Sequence, residues 1–373
     1  MKKLLFLTIT VFTCLQLHAQ KTYAFFGSYN WDKDTEGIYV YELDTIQGKI
    51  SKVTSFSGIS NPSFLTLSSD GKYVFACTES KTPNGGSVSS FEFNPEKKSL
   101  TFINTQKSGG ENPVYLMAHQ NGKWLVNGNY TEGSVSVYPI SEGGKIESYV
   151  QNFQYSEGSI NPDRQDRAHI HSTVFSPNFD YIFLPDLGAD KIRAYKFDSD
   201  KNQPLQDAEI PFVQTTPGSG PRHLAFHPNG KFAYCIEEMG GAVSVYSYEK
   251  GKLSNLQRIN THSEKYKAHF ESSDVHISPD GKFLYASNRG VENNIAIFSI
   301  QADGTLNIID YQFVKGKHPR TFSLDPSGKF LITANTGTSE VVVFKRNPET
   351  GLLKKAGKKI KIKNVTNVQM RKY

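Results

Sequence analysis

The sequence predicts an all-β protein: a seven-bladed β-propeller with four antiparallel strands per blade, its ring closed by a C-terminal strand that joins the N-terminal blade. Three observations lead there. The stretch Ile277–Gly290, "ISPDGKFLYASNRG", reads as strand, Pro-Asp-Gly-Lys turn and strand, and it has five relatives: "LSSDGKYVFACTES", "AHQNGKWLVNGNYT", "FSPNFDYIFLPDLG", "FHPNGKFAYCIEEM" and "LDPSGKFLITANTG". The turn glycines fall at 71, 122, 230, 281 and 328, with Phe179 taking that place in one copy, so the intervals are 51, 57, 51, 51 and 47 residues. Short β-branched and aromatic runs alternate with Gly/Asn/Asp turns, and no stretch keeps a helical period. Four strands about every 50 residues is the period of a propeller.

Taken in order, the chain opens on "MKKLLFLTITVFTCLQLHAQ": two lysines, an apolar run from Leu4 to about Leu17, then Leu-His-Ala before Gln20. This is the pattern of a signal peptide cleaved after Ala19. The run falls short of the ~20 apolar residues of a membrane span, and no later stretch is longer. Residues 20–373 are therefore expected as one exported domain, periplasmic or extracellular. "YAFFGSYN", "GIYVYELD" and "KISKVTSF" follow as second, third and fourth strands with no first. Six complete copies come next, with third strands such as "GSVSVYPI" and "GAVSVYSY" and fourth strands such as "GKLSNLQRI". The orphan "NVTNVQM" near the C-terminus resembles a repeat opening, "NPSFL", and would supply the missing first strand of the N-terminal blade.

The formal charge of +6 is unevenly placed. Setting aside Lys2, Lys3 and the eight basic residues of 352–373 turns it into about −4 for the body. The basic tail includes "KKAGKKIKIK", lysines that suit an outer strand guarded against edge pairing, so no nucleic-acid partner is expected. Beyond the leader only Cys77 and Cys235 remain, at equivalent positions of different repeats, and buried packing suits them better than a disulfide.

The conserved scaffold of the repeats contrasts with the residues ending each second strand, which differ in every copy. In a propeller those residues and the openings of the first strands share one face of the ring, so the variable residues should form the site. Seven positions after the turn glycine stand Thr78, Asn129, Asp186, Glu237, Asn288 and Asn335; eight after it stand Glu79, Tyr130, Leu187, Glu238, Arg289 and Thr336. The first-strand openings "HIHSTVF", "GPRHLAF" and "HPRTFSL" add His169, His171, Arg222, His223, His318 and Arg320. Arginines, histidines and a carboxylate at one end of a channel call for solvent or a ligand. Each also has a plainer role: Arg222 and Glu238 as a cross-strand ion pair, Asp186 and Asn288 as loop caps, His119, His227 and His276 as structural. His169 and His171 share a strand face, but with no acidic or cysteine partner nearby a metal is not expected.

At these residues the sequence resembles the lactonase family of seven-bladed propellers, which includes bacterial 6-phosphogluconolactonase and the fungal carboxy-muconate lactonising enzyme. The resemblance runs from about Tyr23 to Phe344 through "FFGSYNW", "HIHSTVFSPNFDYIFLPDLG", "GPRHLAFHPNGKFAYCIEEM", "SSDVHISPDGKFLYASNRG" and "HPRTFSLDPSGKFLITANTG". It implies a catalytic set of His171, Arg222, Glu238 and Arg289. Tyr29, Asn129, His169, Asp186, His223, Asn288, His318 and Arg320 are the accompanying candidates for substrate contact. Glu237-Glu238 departs from the more usual Asn-Glu.

The resemblance implies metal-independent hydrolysis of a sugar lactone, of the 6-phosphogluconolactonase type, with a small lactone or sugar acid as partner and no cofactor. Such acyl transfer to water needs a base and donors at the developing oxyanion. Glu238 or His171 fits the base, Arg222 and Arg289 the oxyanion or the substrate's own anion. No Gly-x-Ser-x-Gly elbow points to a serine nucleophile. The alternatives are an exported propeller that binds carbohydrate or protein without catalysis, and a muconate-type cycloisomerase. A monomer or weak dimer is expected.

Overall fold

A computed structural model describes residues 20–80, 82 and 85–373; the expected leader, 1–19, lies outside the described residues. The described chain forms seven four-stranded antiparallel sheets. Six of them run in sequence order from the channel outward, as in blade 5: Pro221–Phe226, Phe232–Glu237, Ala242–Glu249 and Lys252–Asn260. Blade 1 is the exception. Its innermost strand is Val365–Lys372, paired antiparallel with Thr22–Ser28 from the other end of the chain. The C-terminal strand thus closes the ring, as the orphan "NVTNVQM" implied.

The repeats fold as blades because their periods agree with the pleat. Second strands such as Phe330–Asn335 are buried on both faces, between neighbouring blades, and read as apolar runs. Outer strands alternate with solvent, and Leu353–Lys361 carries the lysines of the basic tail. The turn position is left-handed in every copy, with φ of 78°, 72°, 71°, 71° and 68° at Gly71, Gly122, Gly230, Gly281 and Gly328. Phe179 adopts φ 59° in the same place, so this copy keeps the turn at a steric cost that glycine avoids. Asp280 shows how the turn is held: Ser278 Oγ donates to its Oδ1 at 2.5 Å and the Lys282 N–H at 3.1 Å. Cys77 and Cys235 are buried free thiols.

Six of the inner strands carry a register shift next to their first residue: Pro62/Phe64, Pro113/Tyr115, Pro221/His223, Ser272/Val275, Pro319/Thr321 and Val365/Asn367. Four begin with proline, which has no N–H for the ladder. The residue left out of register, Arg222 or Arg320 in blades 5 and 7, is re-aimed by the bulge. Blade 4 goes further. Its inner strand shrinks to Val174–Phe175, and "HIH" meets the second strand through one bridge, Ile170 to Asp186. Pro185 explains this: it offers only its carbonyl, which accepts the His171 N–H at 2.9 Å.

Candidate active site

Glu238 is the centre of the site. It follows the second strand of blade 5 and is almost wholly buried. Its Oε2 accepts from Arg222 Nε at 3.0 Å and lies 3.0 Å from Arg289 Nη2. Its Oε1 accepts from Arg164 Nη2 at 2.7 Å. Burial alone would raise the carboxyl's pKa, but the guanidiniums of Arg289, Arg222 and Arg164 overcome it and hold Glu238 well below the usual carboxylate range.

Arg222 is fixed on three sides. Besides Glu238, its Nη1 donates to His223 Nε2 at 2.9 Å and to the Ser273 carbonyl at 2.7 Å. His223 in turn donates from Nδ1 to Asp274 Oδ1 at 2.7 Å, so the chain Arg222–His223–Asp274 sets the imidazole's tautomer. Burial and the Arg222 charge pull His223 down to about 4. Burial and the cations Arg289 and Arg320 draw Arg222 down to about 9, which leaves it charged at neutral pH.

His171 stands beside this chain, edge to ring with His223 at 5.3 Å and with Tyr130 at 5.4 Å. Its Nδ1 is buried with no hydrogen-bond partner among the described residues. Burial, Arg222 and His223 all disfavour its protonation, and its pKa lies well below 6.5. It is therefore a neutral imidazole with an unused nitrogen. His318 senses the same field, brought down to about 3 by burial and by Arg289, Arg320 and Arg222.

Arg320 reaches toward the other side of the channel. It pairs with Glu79 at 3.3 Å, its guanidinium lies 5.7 Å from the Tyr29 ring centre, and the Tyr29 hydroxyl donates to both Glu79 oxygens at 2.9 and 2.8 Å. Four guanidiniums, of Arg164, Arg222, Arg289 and Arg320, thus meet the carboxylates of Glu238 and Glu79 directly and that of Asp274 through His223. One positive charge remains for an anion or a developing oxyanion.

The geometry brings His171, Arg222, Glu238, Arg289, His223, His318, Arg320 and Tyr29 to one face. His169 is at its edge, stacked on Tyr130 at 4.4 Å and bonded from Nδ1 to the Tyr130 carbonyl at 2.8 Å. Asn129, Asp186 and Asn288, expected as substrate contacts, are instead wholly buried and committed within the scaffold. Asn129 Nδ2 donates to the Ser108 carbonyl and Ser134, and Asn288 Nδ2 to the Thr261 carbonyl and Asn294. Asp186 accepts from the His169 and Ala189 N–H groups and from Arg193. Glu237, the unusual second acid, is held inside blade 5 by Ser244 at 2.6 Å and Arg258 at 2.8 Å, away from the Glu238 cluster.

Three members of the site were not among the expected catalytic or substrate-contact residues. Glu79 occupies the repeat position of Glu238, and that alignment was the signal for it. Asp274 sits within "SSDVHI" but needs its contact with His223 to gain meaning. Arg164 comes from the irregular segment between blades 3 and 4, outside any repeat, and no sequence signal marked it. Among the described residues no three His, Cys, Asp or Glu side chains are grouped to hold a metal ion.

The profile of the family described as "Lactonase, 7-bladed beta-propeller" matches residues 23–370. The chain belongs to that family. It is 40% identical to the 6-phosphogluconolactonase of Formosa agariphila over 94% of this chain and 99% of that protein. It is 30% identical to the 6-phosphogluconolactonase of Bacillus subtilis over 86% of this chain and 90% of that one. Among solved structures, the periplasmic gluconolactonase of Pseudomonas aeruginosa superposes with a TM-score of 0.87 at 32% identity, covering 94% of this chain and 99% of that chain. No helix among the described residues is long and apolar enough to cross a membrane.

Proposed function

We propose that this propeller is a lactone hydrolase of the 6-phosphogluconolactonase type, with His171 as the general base. The relatives named 6-phosphogluconolactonase support the reaction class. The observation that carries the base is the neutral, buried His171 with an unpartnered Nδ1, set against a Glu238 held anionic by three guanidiniums. A carboxylate so stabilised is a weak proton acceptor.

In the reaction, His171 takes a proton from water as its oxygen attacks the lactone carbonyl. The carbonyl oxygen becomes an oxyanion facing Arg222 and Arg289. Collapse expels the ring oxygen, which takes the proton back from the imidazolium, and the open hydroxy acid leaves. Glu238 positions the two arginines and keeps the net charge low enough for product release.

The leader pattern and the periplasmic relative together support export, with a mature chain beginning at Gln20. A lactone panel followed by pH-stat, with and without a phosphate on the sugar, tests the activity. Acid release well above the spontaneous rate is expected; a rate equal to the blank would remove the lactonase reading and leave a binding propeller.

A further inference from the structure

A second cleft, of about 680 Å³, opens beside the site; its lining includes Trp31, Asn61, Thr78, Glu79, Thr105 and Asn112. Trp31 is 69% exposed. Its ring lies on Tyr29 at 5.6 Å and 20°, and its backbone N–H donates to Asn61 Oδ1 at 2.9 Å, so the stacking supports the indole and the main chain beneath it is fixed. On the wall of the cleft, Thr78 Oγ1 and Asn112 Oδ1 are buried with no hydrogen-bond partner among the described residues. Asn112 is only 7% exposed. A buried polar atom left unpaired costs roughly 1–3 kcal/mol, and a ligand hydroxyl entering the cleft would relieve it.

The cleft and the catalytic site share a wall. Glu79 lines the cleft while accepting from Tyr29 and pairing with Arg320. The chemistry offered is an aromatic face, amide and hydroxyl groups, the Glu79 carboxylate and the Lys33 ammonium, opposite charges that leave the cleft near neutral. A pyranose ring matches it, with its C–H face on the electron-rich indole and its hydroxyls on the polar wall.

We propose that this cleft is a subsite for a neutral hexose ring, so that the protein accepts an aldonolactone carrying a glycosyl substituent, the lactone ring at Arg222 and His171 and the second sugar on Trp31. The lactone half rests on the function proposed above; the sugar half does not.

The chain has two tryptophans, Trp31 and the buried Trp124, so a change in emission on adding sugar reports chiefly Trp31. Cellobionate or maltobionate should shift the emission saturably and gluconate should not. The matching disaccharide lactone should exceed glucono-1,5-lactone in kcat/KM by about ten-fold, the scale of one aromatic contact. Trp31→Ala should abolish that advantage, and Asn112→Ala should weaken it. Turnover of both lactones at equal efficiency, with no emission change, would overturn the subsite and leave the lactonase. An emission shift with neither lactone hydrolysed would keep the subsite and overturn the lactonase.

Discussion

Arg222 Nε donates to Glu238 Oε2 across 3.0 Å, and that same oxygen lies 3.0 Å from Arg289. A carboxylate shared in this way acts as a brace. It fixes two guanidiniums where an oxyanion would form, and gives up the basicity that would let it move a proton.

The division of labour has a direct consequence for variants. His171→Gln should lower kcat by about 10²–10⁴, the range of a positioned general base, with melting little changed because Nδ1 has no partner to lose. Glu238→Gln removes the countercharge from buried arginines. It should cost on the order of 3–5 kcal/mol of stability and raise KM. Kinetics and melting on the same preparations check both; a large kcat loss in Glu238→Gln at unchanged melting would make Glu238 the base.

Arg222→Lys keeps the charge but cannot serve Glu238, His223 and the Ser273 carbonyl together, because an ammonium lacks the planar fork. A loss of about 10²–10³ in kcat/KM is expected, the scale of one oxyanion donor. Arg258→Lys, on the pair that neutralises Glu237 in blade 5, is the control and should stay near wild type. Equal losses in the two would show that the effect is structural.

The ring was legible because each repeat agrees with the pleat, the turn and the edge at once, and because "NVTNVQM" reads as a first strand wherever it stands. Which end of the blade carries the chemistry followed from the variable residues after each second strand. The sequence did not reveal which of those residues turn inward. Asn129, Asp186, Asn288 and Arg289 all belong to that set, yet Arg289 reaches Glu238 while the other three are held by their surroundings. The bulge that aims Arg222 was written in "GPR", a proline opening an inner strand. Arg164 was not legible at all, since its partner Glu238 lies 74 residues away and no period links them.

Acid should destabilise the fold, and the sign follows from His223. Its folded pKa, about 4, lies below the ~6.5 of a free imidazole. Between those values the unfolded chain binds more protons, so stability falls as pH drops through the window, by a few kcal/mol at most. Asp274 adds to the loss further down: burial would raise its pKa, but His276 and His223 hold it below the usual range. Melting should decline from pH 7 to 4.5, and less steeply in His223→Gln. A flat profile in the wild type would mean that His223 binds its proton equally in the folded and unfolded chain.

Ring closure can be tested at the C-terminal strand. Val365 and Val368 pack into the core with Phe26 and Val341. Thr366 Oγ1 lies 2.7 Å from the Ser63 carbonyl, and Asn367 Oδ1 accepts the Leu65 N–H at 3.0 Å. Tyr373 donates to the Gly71 carbonyl at 2.7 Å and stacks edge-on with Tyr23 and Phe93. The strand therefore joins blade 1 to blade 2 as well as to Thr22–Ser28. Deleting residues 364–373 would strip these contacts and bare the inner edge of Thr22–Ser28, an open template for another chain. Aggregation, or loss of a single cooperative transition, is the expected outcome. Asn367→Ala is the milder form: it leaves the Leu65 N–H buried without its acceptor and should lower stability by roughly 1–3 kcal/mol. If the truncated chain stayed soluble and melted like the whole, the velcro formed by the two termini would not be what holds the ring shut.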